Sequence, residues 1–310
     1  MVKSSFLLLG YSNIAKKRII GTFLKKKINF SIASKSHKKK IHGIKKQFTN
    51  YSDALMKSDA NIVYISLPNS LHFYWAKKAL LHGYHVIIDK PMCVNKSEAN
   101  ILINIAKKNN KLISESIFYN YHDQILKVIK IAGGIKKIIS IFTNFHIPMP
   151  PENSLLMSSK FKGGVVMDML PYASSINRIF FNEKIFKLKI NVLRNLKKLP
   201  IIFKVEATYK NKKYFGSFQF GGEYENNITI LTKNKKISID RAFSPPSDVN
   251  LKINVLENNH TKVYTIKKDN CFEKYLSEVM SQIKKKNFYY YYKQIRDDQN
   301  LRNKIQKKIL

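Results

Sequence analysis

The stretch that decides the fold is SFLLLGYSNIA, residues 5–15. Residues 5–9, which are apolar after Ser5, predict the first strand, and the spacing G-x-S-x-x-A begins at Gly10. This spacing is a version of the G-x-G-x-x-G/A turn, which binds dinucleotide phosphates between the first strand and first helix of a βαβ unit. Gly10 would allow the tight turn, Ser12 replaces the middle glycine, and Ala15 lets the helix pack on the strand. The stretch predicts a dinucleotide-binding turn, with an ordinary buried turn as the alternative.

Short apolar runs and helix-like segments alternate over the first 118 residues. Further strands are predicted at residues 28–34, 62–66, 85–88 and 111–114, and helices at 13–24, 71–81 and 96–108. This alternation is typical of βαβ units in a parallel sheet. The first N–H groups of the helix after strand one, at Asn13 and Ile14, would receive the phosphates. We therefore predict an α/β Rossmann domain over residues 1–120 that binds NAD(P).

The end of the predicted second strand bears on the choice of dinucleotide. NAD sites place Asp or Glu there for the ribose 2′-hydroxyl, but this chain has Ser34 and Lys35. A hydroxyl and a cation suit a 2′-phosphate, so NADP is favoured. Because lysine is abundant throughout the chain, NAD stays the alternative.

The pattern changes after about residue 120. Helices are predicted at residues 121–131 and 165–180, and Pro171 predicts a kink or a later start in the second. Alternation with period two marks strands at residues 187–193, 201–209, 213–220, 226–232, 235–239, 251–256 and 262–266. Such a series predicts a largely antiparallel sheet with one open face, followed by helices over 271–285 and towards residue 310. Residues 121–310 are therefore predicted to form an α+β domain for substrate binding and oligomerisation.

The charge of the chain is unusual, because 56 basic and 20 acidic residues give a formal net charge of +36. A nucleic-acid-binding surface would be one explanation. Only six of the basic residues are arginines, whereas base readers and phosphate clamps favour arginine. Lys, Ile, Asn, Phe and Tyr are all abundant and share A/T-rich codons, which indicates a genome-composition effect. We expect no nucleic-acid partner.

Other features exclude further classes. No apolar run reaches the roughly 18–20 residues of a membrane span, and the run at residues 6–9 is too short for a signal peptide. Cys93 and Cys271 offer no disulfide framework and no paired metal-ligand spacing. Four consecutive tyrosines at 289–292 cannot share one helix face, so packing at a helix start is predicted rather than base stacking. We expect a soluble cytoplasmic protein without a metal or a membrane partner.

Four stretches together resemble the Gfo/Idh/MocA oxidoreductases, the glucose-fructose oxidoreductase and inositol dehydrogenase family. They are VYISLPNSLH (63–72), GYHVIIDKP (83–91), ESIFYNYHDQ (115–124) and GGVVMDMLPYA (163–173). Each is similar to a family signature: P-N-x-x-H, E-K-P, E-A-F-M-Y-R-Y-H-P-Q and G-G-A-L-x-D-x-G-P-Y-A. The resemblance covers residues 5–180 and continues more loosely through 218–227 and 241–246.

The resemblance implies a site on both predicted domains. The E-K-P lysine, here Lys90, would lie beside the nicotinamide, where an ammonium can hydrogen-bond a carbonyl or alkoxide. Asp168 and Tyr172 match the family's second pair, and a spacing of four puts them on one helix face. Tyr172 would donate the proton. The cofactor would also be contacted by Leu67, Pro68, Asn69, His72 and Asp89, and the substrate by Lys90, His122, Asp168 and Tyr172.

Some residues depart from the family pattern, and two of the proposed catalytic residues have purely structural roles as alternatives. Asp89 replaces the usual Glu, Asn120 stands where Arg is common, and Leu170 replaces a Gly. Asp168 could instead cap a helix or pair with a cation, and Tyr172 could be a packed aromatic. By resemblance we also expect the Lys90–Pro91 peptide to be cis.

We therefore predict an NAD(P)-dependent oxidoreductase that moves a hydride between nicotinamide and a secondary alcohol or ketone of a sugar. The P-Y-A pattern and Ser12 resemble sugar-nucleotide members, so a nucleotide-linked sugar is the preferred substrate. A free polyol or dihydrodiol dehydrogenase is the alternative enzyme, and a non-catalytic cofactor-binding sensor is the alternative of another class. The open sheet face predicts a homo-oligomer, a dimer or tetramer.

Overall fold

The structure, a computed structural model, describes residues 4–35, 37, 39, 41–196 and 199–309. The chain divides into two compact units. Residues 4–116 and Tyr275–Gln299 form the first unit, whereas Ile117–Lys274 and residues 300–309 form the second. Each unit is built on one sheet.

The described residues of the first unit hold a six-stranded parallel sheet. Its strands are β1 (Ser5–Leu9), β2 (Asn29–Ala33), β3 (Gln47–Phe48), β4 (Ile62–Ile65), β5 (His85–Ile88) and β6 (Ile113–Glu115). The strand order is β3-β2-β1-β4-β5-β6. This is the strand order of doubly wound dinucleotide-binding sheets. Its topological switch point, where successive strands are added on opposite sides, lies between β1 and β4. The predicted Rossmann fold is confirmed.

Helices connect these strands. A π-helical segment, Ala15–Ile20, continues into α1 (Gly21–Lys25), and the later helices are α2 (Tyr51–Lys57), α3 (Asn69–Leu81) and α4 (Lys96–Lys108). The sequence predicted one regular helix over 13–24 and did not predict β3 or α2. Strands β1, β4 and β5 are almost fully buried, because helices of a parallel α/β sheet cover both of its faces.

The second unit holds an eight-stranded sheet that is antiparallel apart from one pair. Its strands are β7 (Ser140–Ile147), β8 (Lys187–Leu196), β9 (Leu199–Thr208), β10 (Lys213–Phe220), β11 (Glu225–Leu231), β12 (Lys235–Asp240), β13 (Leu251–Glu257) and β14 (His260–Ile266). The order is β14-β13-β12-β11-β7-β10-β9-β8, with β7 and β10 parallel. The predicted α+β fold with a largely antiparallel sheet is confirmed, but β7, a central strand, was not predicted.

One face of this sheet carries the apolar core of the second unit. Alternate residues such as Phe203, Val205 and Ala207 of β9 are buried. Helix α5 (Asp123–Ile131) and helix α6 (Val165–Ile176) supply further core residues. Helix α6 begins at Val165 and contains Pro171, so the alternative of a later start is wrong.

Short helical turns and two long helices complete the secondary structure. The turns are Tyr119–Tyr121, Ile135–Lys137, Leu155–Met157, Ser159–Phe161 and the π-helical Asn177–Phe181. Helix α7 spans Cys271–Lys285, and helix α8 spans Tyr289–Ile309. The four tyrosines begin α8. Tyr291 and Tyr292 are buried while Tyr289 and Tyr290 are exposed, so the predicted packing at a helix start is confirmed.

Candidate active site

The turn after β1 requires a glycine. Gly10 has a φ of +101°, and a Cβ atom there would lie 2.1 Å from the carbonyl oxygen of Ser66. A side chain is therefore excluded both by backbone conformation and by space. The Gly10 N–H donates to the Ala33 carbonyl at 2.9 Å. The turn thus passes directly beside the end of β4.

The helix start that follows leaves its outer residues accessible. The Ser12 hydroxyl accepts a hydrogen bond from the Ala15 N–H at 3.0 Å, as an N-cap residue does. Asn13 and Ile14, the predicted phosphate-binding positions, are exposed. The N–H groups of such first residues have no acceptor within a helix, which makes this end suited to an anion.

Cationic and aromatic side chains surround the same turn. The ring centroids of Tyr11 and His37 are 4.3 Å apart. The Lys16 ammonium lies 4.6 Å from the Tyr11 ring centroid. These contacts were not predicted from the sequence. They place two basic side chains next to the predicted phosphate-binding turn.

A chain of hydroxyl groups links this turn to Asp89. The Ser12 and Ser66 hydroxyl oxygens are 2.6 Å apart, and Ser66 donates to Oδ2 of Asp89. The other carboxylate oxygen, Oδ1, accepts a hydrogen bond from the Tyr64 hydroxyl at 2.7 Å. Burial raises the pKa of Asp89, although these two donors and the charges of His72 and Lys90 oppose the rise.

The predicted catalytic Lys90 directly follows Asp89 and is half-buried. The Lys90–Pro91 peptide is cis, as the resemblance implied. His72 is fully buried, with Nδ1 2.7 Å from the Pro91 carbonyl oxygen and Nε2 2.7 Å from the Leu67 carbonyl oxygen. His72 therefore joins the segment after β4 to the segment after β5. Helix α3 follows the first of these segments; it begins at Asn69, and Pro68 is its N-cap residue.

The two residues predicted to select the dinucleotide differ in their surroundings. Ser34 is buried, and its hydroxyl accepts a hydrogen bond from the His37 N–H at 3.1 Å. Lys35 is exposed, with its ammonium 5.4 Å from the Tyr51 ring centroid. The Ser34 hydroxyl is thus engaged within the protein, whereas Lys35 is accessible to an anionic group.

In the second unit, α6 carries Asp168 and Tyr172. Most residues of this helix are buried, but both of these are half-buried, as expected for two positions on one face. The Tyr172 ring contacts the rings of Phe145 and Phe243, each at a centroid distance of 5.1 Å. The ring of Tyr172 is therefore held by aromatic packing.

Hydrogen bonds fix the turn of α6 that contains Tyr172. Ser175 donates to the Tyr172 carbonyl at 2.8 Å and lies 2.9 Å from the Tyr119 hydroxyl. The buried Arg302 donates through Nε to the Ser174 hydroxyl at 2.9 Å, and Ser174 donates to the Pro171 carbonyl at 3.0 Å. These contacts tie the turn after Pro171 to Tyr119 and to Arg302.

His122, predicted to bind substrate, is fully buried at the start of α5. Its Nδ1 accepts a hydrogen bond from the Gln124 N–H at 3.2 Å and lies 4.0 Å from Asp269. Burial lowers the pKa of His122. Within the described parts of the chain, its Nε2 and the Oδ1 of Asn120 are buried without a hydrogen-bond partner. Such groups are costly unless a ligand or water meets them.

Several site residues were missed by the sequence analysis. Ser66 and Tyr64 complete the surroundings of Asp89, and the buried Glu115 accepts a hydrogen bond from the Met92 N–H at 2.9 Å. One signal was available for Ser66. A small hydroxyl residue ends an otherwise apolar parallel strand, and ligands bind outside the carboxyl ends of such strands.

Two features are absent from the described residues. None of the described helices is both long and apolar enough to cross a membrane. Among the same residues, no group of three or more His, Cys, Asp or Glu side chains is arranged to hold a metal ion.

Known proteins resemble the chain in sequence. A dTDP-3,4-didehydro-2,6-dideoxy-alpha-D-glucose 3-reductase from Actinomadura kijaniata is 24% identical over 229 residues, which is 72% of this chain and 69% of the relative. Across four reductases of this name the aligned segments span 59–69% of the relative's length.

Solved structures share the fold along almost the whole chain. KijD10, a 3-ketoreductase from Actinomadura kijaniata solved with NADP and TDP-benzene, superposes with a TM-score of 0.89 at 19% identity, covering 99% of this chain and 98% of that one. An aldose-aldose oxidoreductase from Caulobacter crescentus superposes with a TM-score of 0.86 at 15% identity, covering 99% and 97%.

A family model matches most of the first unit. Residues 6–116 match the sequence model of the oxidoreductase family GFO_IDH_MocA, described as an NAD-binding Rossmann fold. The matched segment contains the Gly10 turn, Asp89 and Lys90. Over residues 6–116, the chain is therefore similar to the Gfo/Idh/MocA oxidoreductase family.

Proposed function

We propose that the chain is an NAD(P)-dependent oxidoreductase that transfers a hydride between nicotinamide and a secondary alcohol or ketone of a sugar. One observation carries the proposal: the Gly10 turn, Ser66 and Asp89 are hydrogen-bonded neighbours at the carboxyl ends of adjacent strands. This edge of a doubly wound sheet, at its switch point, is where dinucleotides bind. Lys90 follows directly in the chain.

The residues of the first unit fit a dinucleotide. Gly10 lets the turn after β1 lie against Ser66, because a Cβ atom at residue 10 would clash with the Ser66 carbonyl oxygen. The exposed helix start at Asn13 suits the diphosphate. The exposed ammonium of Lys35 favours NADP over NAD, because a 2′-phosphate pairs with a cation. We also propose residues 1–120 as the cofactor-binding domain and residues 121–310 as the substrate-binding domain.

The bound dinucleotide would supply the carbon that gives or takes the hydride. The work of the chain's residues is then to orient the sugar and to manage the proton on its reacting oxygen. Lys90 would hydrogen-bond that oxygen through its ammonium, and Tyr172 would donate the proton as a general acid. Asp168, on the same helix face as Tyr172, would orient either group or bind a sugar hydroxyl. His122 is fully buried, so its unpartnered Nε2 would reach the substrate only after neighbouring side chains move.

The preferred substrate class is a nucleotide-linked sugar. Support comes from the 3-reductases that act on dTDP-linked sugars by name and from the 3-ketoreductase solved with TDP-benzene and NADP. The aldose-aldose oxidoreductase with the same fold keeps free sugars as the alternative substrate class.

The test is turnover by the purified protein. NADPH oxidation is followed by absorbance with keto-sugar nucleotides and free aldoses, and NADP+ reduction is followed with polyols and dihydrodiols. We expect turnover with a keto-sugar nucleotide. Turnover only with a free polyol or a dihydrodiol favours the alternative enzyme. Cofactor binding without turnover of any of these substrates favours a non-catalytic sensor.

We further propose that the chain forms a homo-oligomer, in the first place a dimer, through the open face of the second unit's sheet. Phe142 and Phe215 stack at 5.0 Å on this face, and Phe142 and Leu193 are exposed. Exposed apolar patches of this kind mark interaction surfaces. Light scattering at physiological salt should give twice the chain mass, and Phe142→Lys should give the single-chain mass.

A further inference from the structure

Ser12 departs from the glycine-rich dinucleotide fingerprint and Asp89 departs from the family's E-K-P signature. Ser66 bridges these two residues in the structure. The Ser12 hydroxyl accepts a hydrogen bond from the Ala15 N–H at 3.0 Å. Its own proton is then available to the Ser66 hydroxyl, 2.6 Å away, and Ser66 donates to Oδ2 of Asp89. The donors run in one direction, from the turn after β1 to the residue before Lys90.

The far end of this chain of hydroxyls is also fixed. Tyr64 is fully buried, and it donates to Oδ1 of Asp89 at 2.7 Å while lying 2.8 Å from the Ser116 hydroxyl. Both oxygens of the carboxylate therefore have donors on the sheet. Asp89 is held in one orientation, and the backbone that leads to Lys90 starts from a fixed point.

Ser12 occupies the place where the fingerprint has a glycine and where a diphosphate must come close. Its side chain has three staggered rotamers. Only a rotamer that turns the hydroxyl towards Ser66 makes the observed contact. Without a partner at Ser66, the hydroxyl loses the contact that selects this rotamer, and other rotamers compete with the phosphate for space.

We propose that Ser66 is a positioning residue with two separable effects. It holds the Ser12 side chain out of the cofactor's path, and it orients Asp89 and thereby Lys90. The inference rests on the proposed cofactor site. Neither effect requires Ser66 to touch cofactor or substrate.

The two effects predict a specific pattern of rescue. Ser66→Ala should weaken NADPH binding by up to about tenfold, the upper end of the value of a neutral hydrogen bond such as that between Ser12 and Ser66, and should also lower kcat. Ser12→Gly should change the Kd for NADPH by less than about threefold, because glycine at an N-cap costs little. The double variant Ser12→Gly/Ser66→Ala should regain the Kd of the unmutated protein to within about threefold, because no side chain is left to misplace. Its kcat should stay low, since Oδ2 of Asp89 still lacks the hydrogen bond that Ser66 donates.

Ser114→Ala is the matched control. Ser114 is a buried serine on β6 whose hydroxyl lies 2.7 Å from the Tyr275 hydroxyl, outside the chain of hydroxyls that ends at Asp89. This variant should lower the Tm and leave the Kd for NADPH unchanged. If Ser66→Ala does not fold, Ser66→Cys keeps the size with a weaker donor and should show a smaller change of the same kind.

Fluorescence titration with NADPH decides the question. An unchanged Kd in Ser66→Ala, or a double variant that binds no better than Ser66→Ala, overturns the inference. If the unmutated protein binds neither NADPH nor NADH, the proposed function fails and the same four proteins are compared by urea unfolding. There, free energies of unfolding that add for Ser12→Gly and Ser66→Ala would overturn the coupling itself, since coupled neighbours are non-additive.

Discussion

The two units hold their proposed catalytic groups by different means. In the first unit, Asp89 is held by hydroxyl donors on strand ends, and Lys90 follows it. In the second unit, Tyr172 is held by the rings of Phe145 and Phe243. Hydrogen bonds respond to charge and direction, whereas ring packing responds to shape. A substitution that keeps the shape of the side chain should therefore leave the local structure unchanged at Tyr172 in the second unit. The same kind of substitution around Asp89 in the first unit should disturb it.

The largest effect is expected for Lys90→Met. The variant keeps the apolar stem but loses the charge and the proton, so kcat should fall by roughly 10²–10⁴, the usual span for general acid–base groups. Steady-state kinetics with a keto-sugar nucleotide checks this. The exposed Lys108→Met is the control and should be unaffected. Full turnover by Lys90→Met would remove Lys90 from the mechanism.

Tyr172→Phe sharpens the comparison, because the ring stays and only the hydroxyl goes. We expect kcat to fall by roughly 10²–10⁴ with little change in Tm or in the Kd for NADPH. The double variant with Lys90→Met should lose less than the product of the single losses if, as proposed, both groups serve one proton transfer. Tyr214→Phe, which removes a buried hydroxyl bonded to Thr143, should lower Tm and leave kcat unchanged. Near-full turnover by Tyr172→Phe would make Tyr172 a packing residue only.

A smaller effect is expected at the exposed edge of the first unit. NADPH should bind more tightly than NADH, and Lys35→Asp should erase or reverse the preference, which is worth about 1–3 kcal/mol as a charged hydrogen bond. Fluorescence titration with both cofactors measures it. Lys77→Asp makes the same charge change on α3 and should leave the preference intact. Equal dissociation constants in the unmutated protein would contradict the NADP assignment.

The smallest effect is a pH dependence of stability in the first unit. Burial, aided by the charge of Lys111, lowers the pKa of His85 from 6.5 to about 4, and its Nδ1 accepts a hydrogen bond from the Leu112 N–H. The folded form therefore stays neutral where the unfolded chain takes up a proton. Stability should be complete above pH 6.5 and decrease towards pH 4, by about 1–2 kcal/mol after screening. Urea midpoints measured across this range should depend less on pH in His85→Gln, and an equal dependence would exclude His85.

Much of the fold could be predicted because the local patterns were strong. The strand at Ser5–Leu9 and the helix at Lys96–Lys108 have the predicted bounds, since one is a continuous apolar run and the other is amphipathic. Strand β7 was missed for a physical reason. Its inward positions include the polar Thr143, satisfied by Tyr214, and its outward positions include Phe142, so the alternation that marks a half-buried strand is blurred.

The candidate site residues that lie within sequence motifs could be predicted. The residues that contribute only through hydrogen bonds to other parts of the chain could not. Gly10 and Lys90 lie within recognisable stretches, and the constraint on Gly10 is visible in both sequence and structure. Ser66 and Arg302 act through partners far away in the sequence, Asp89 and Ser174 respectively. No local pattern marks such pairs, because they depend on how strands and helices come together.

The position of β7 has a consequence for how the second unit folds. β7 lies between β10 and β11, both of which come later in the chain, and its side-chain contact from Thr143 to Tyr214 spans 71 residues. During synthesis, the segment must therefore wait as an unpaired strand until its partners have emerged. Closing such long loops before any pairing is gained slows folding. The middle of this sheet should form late, and an unpaired β7 should be the segment of the nascent chain most exposed to aggregation.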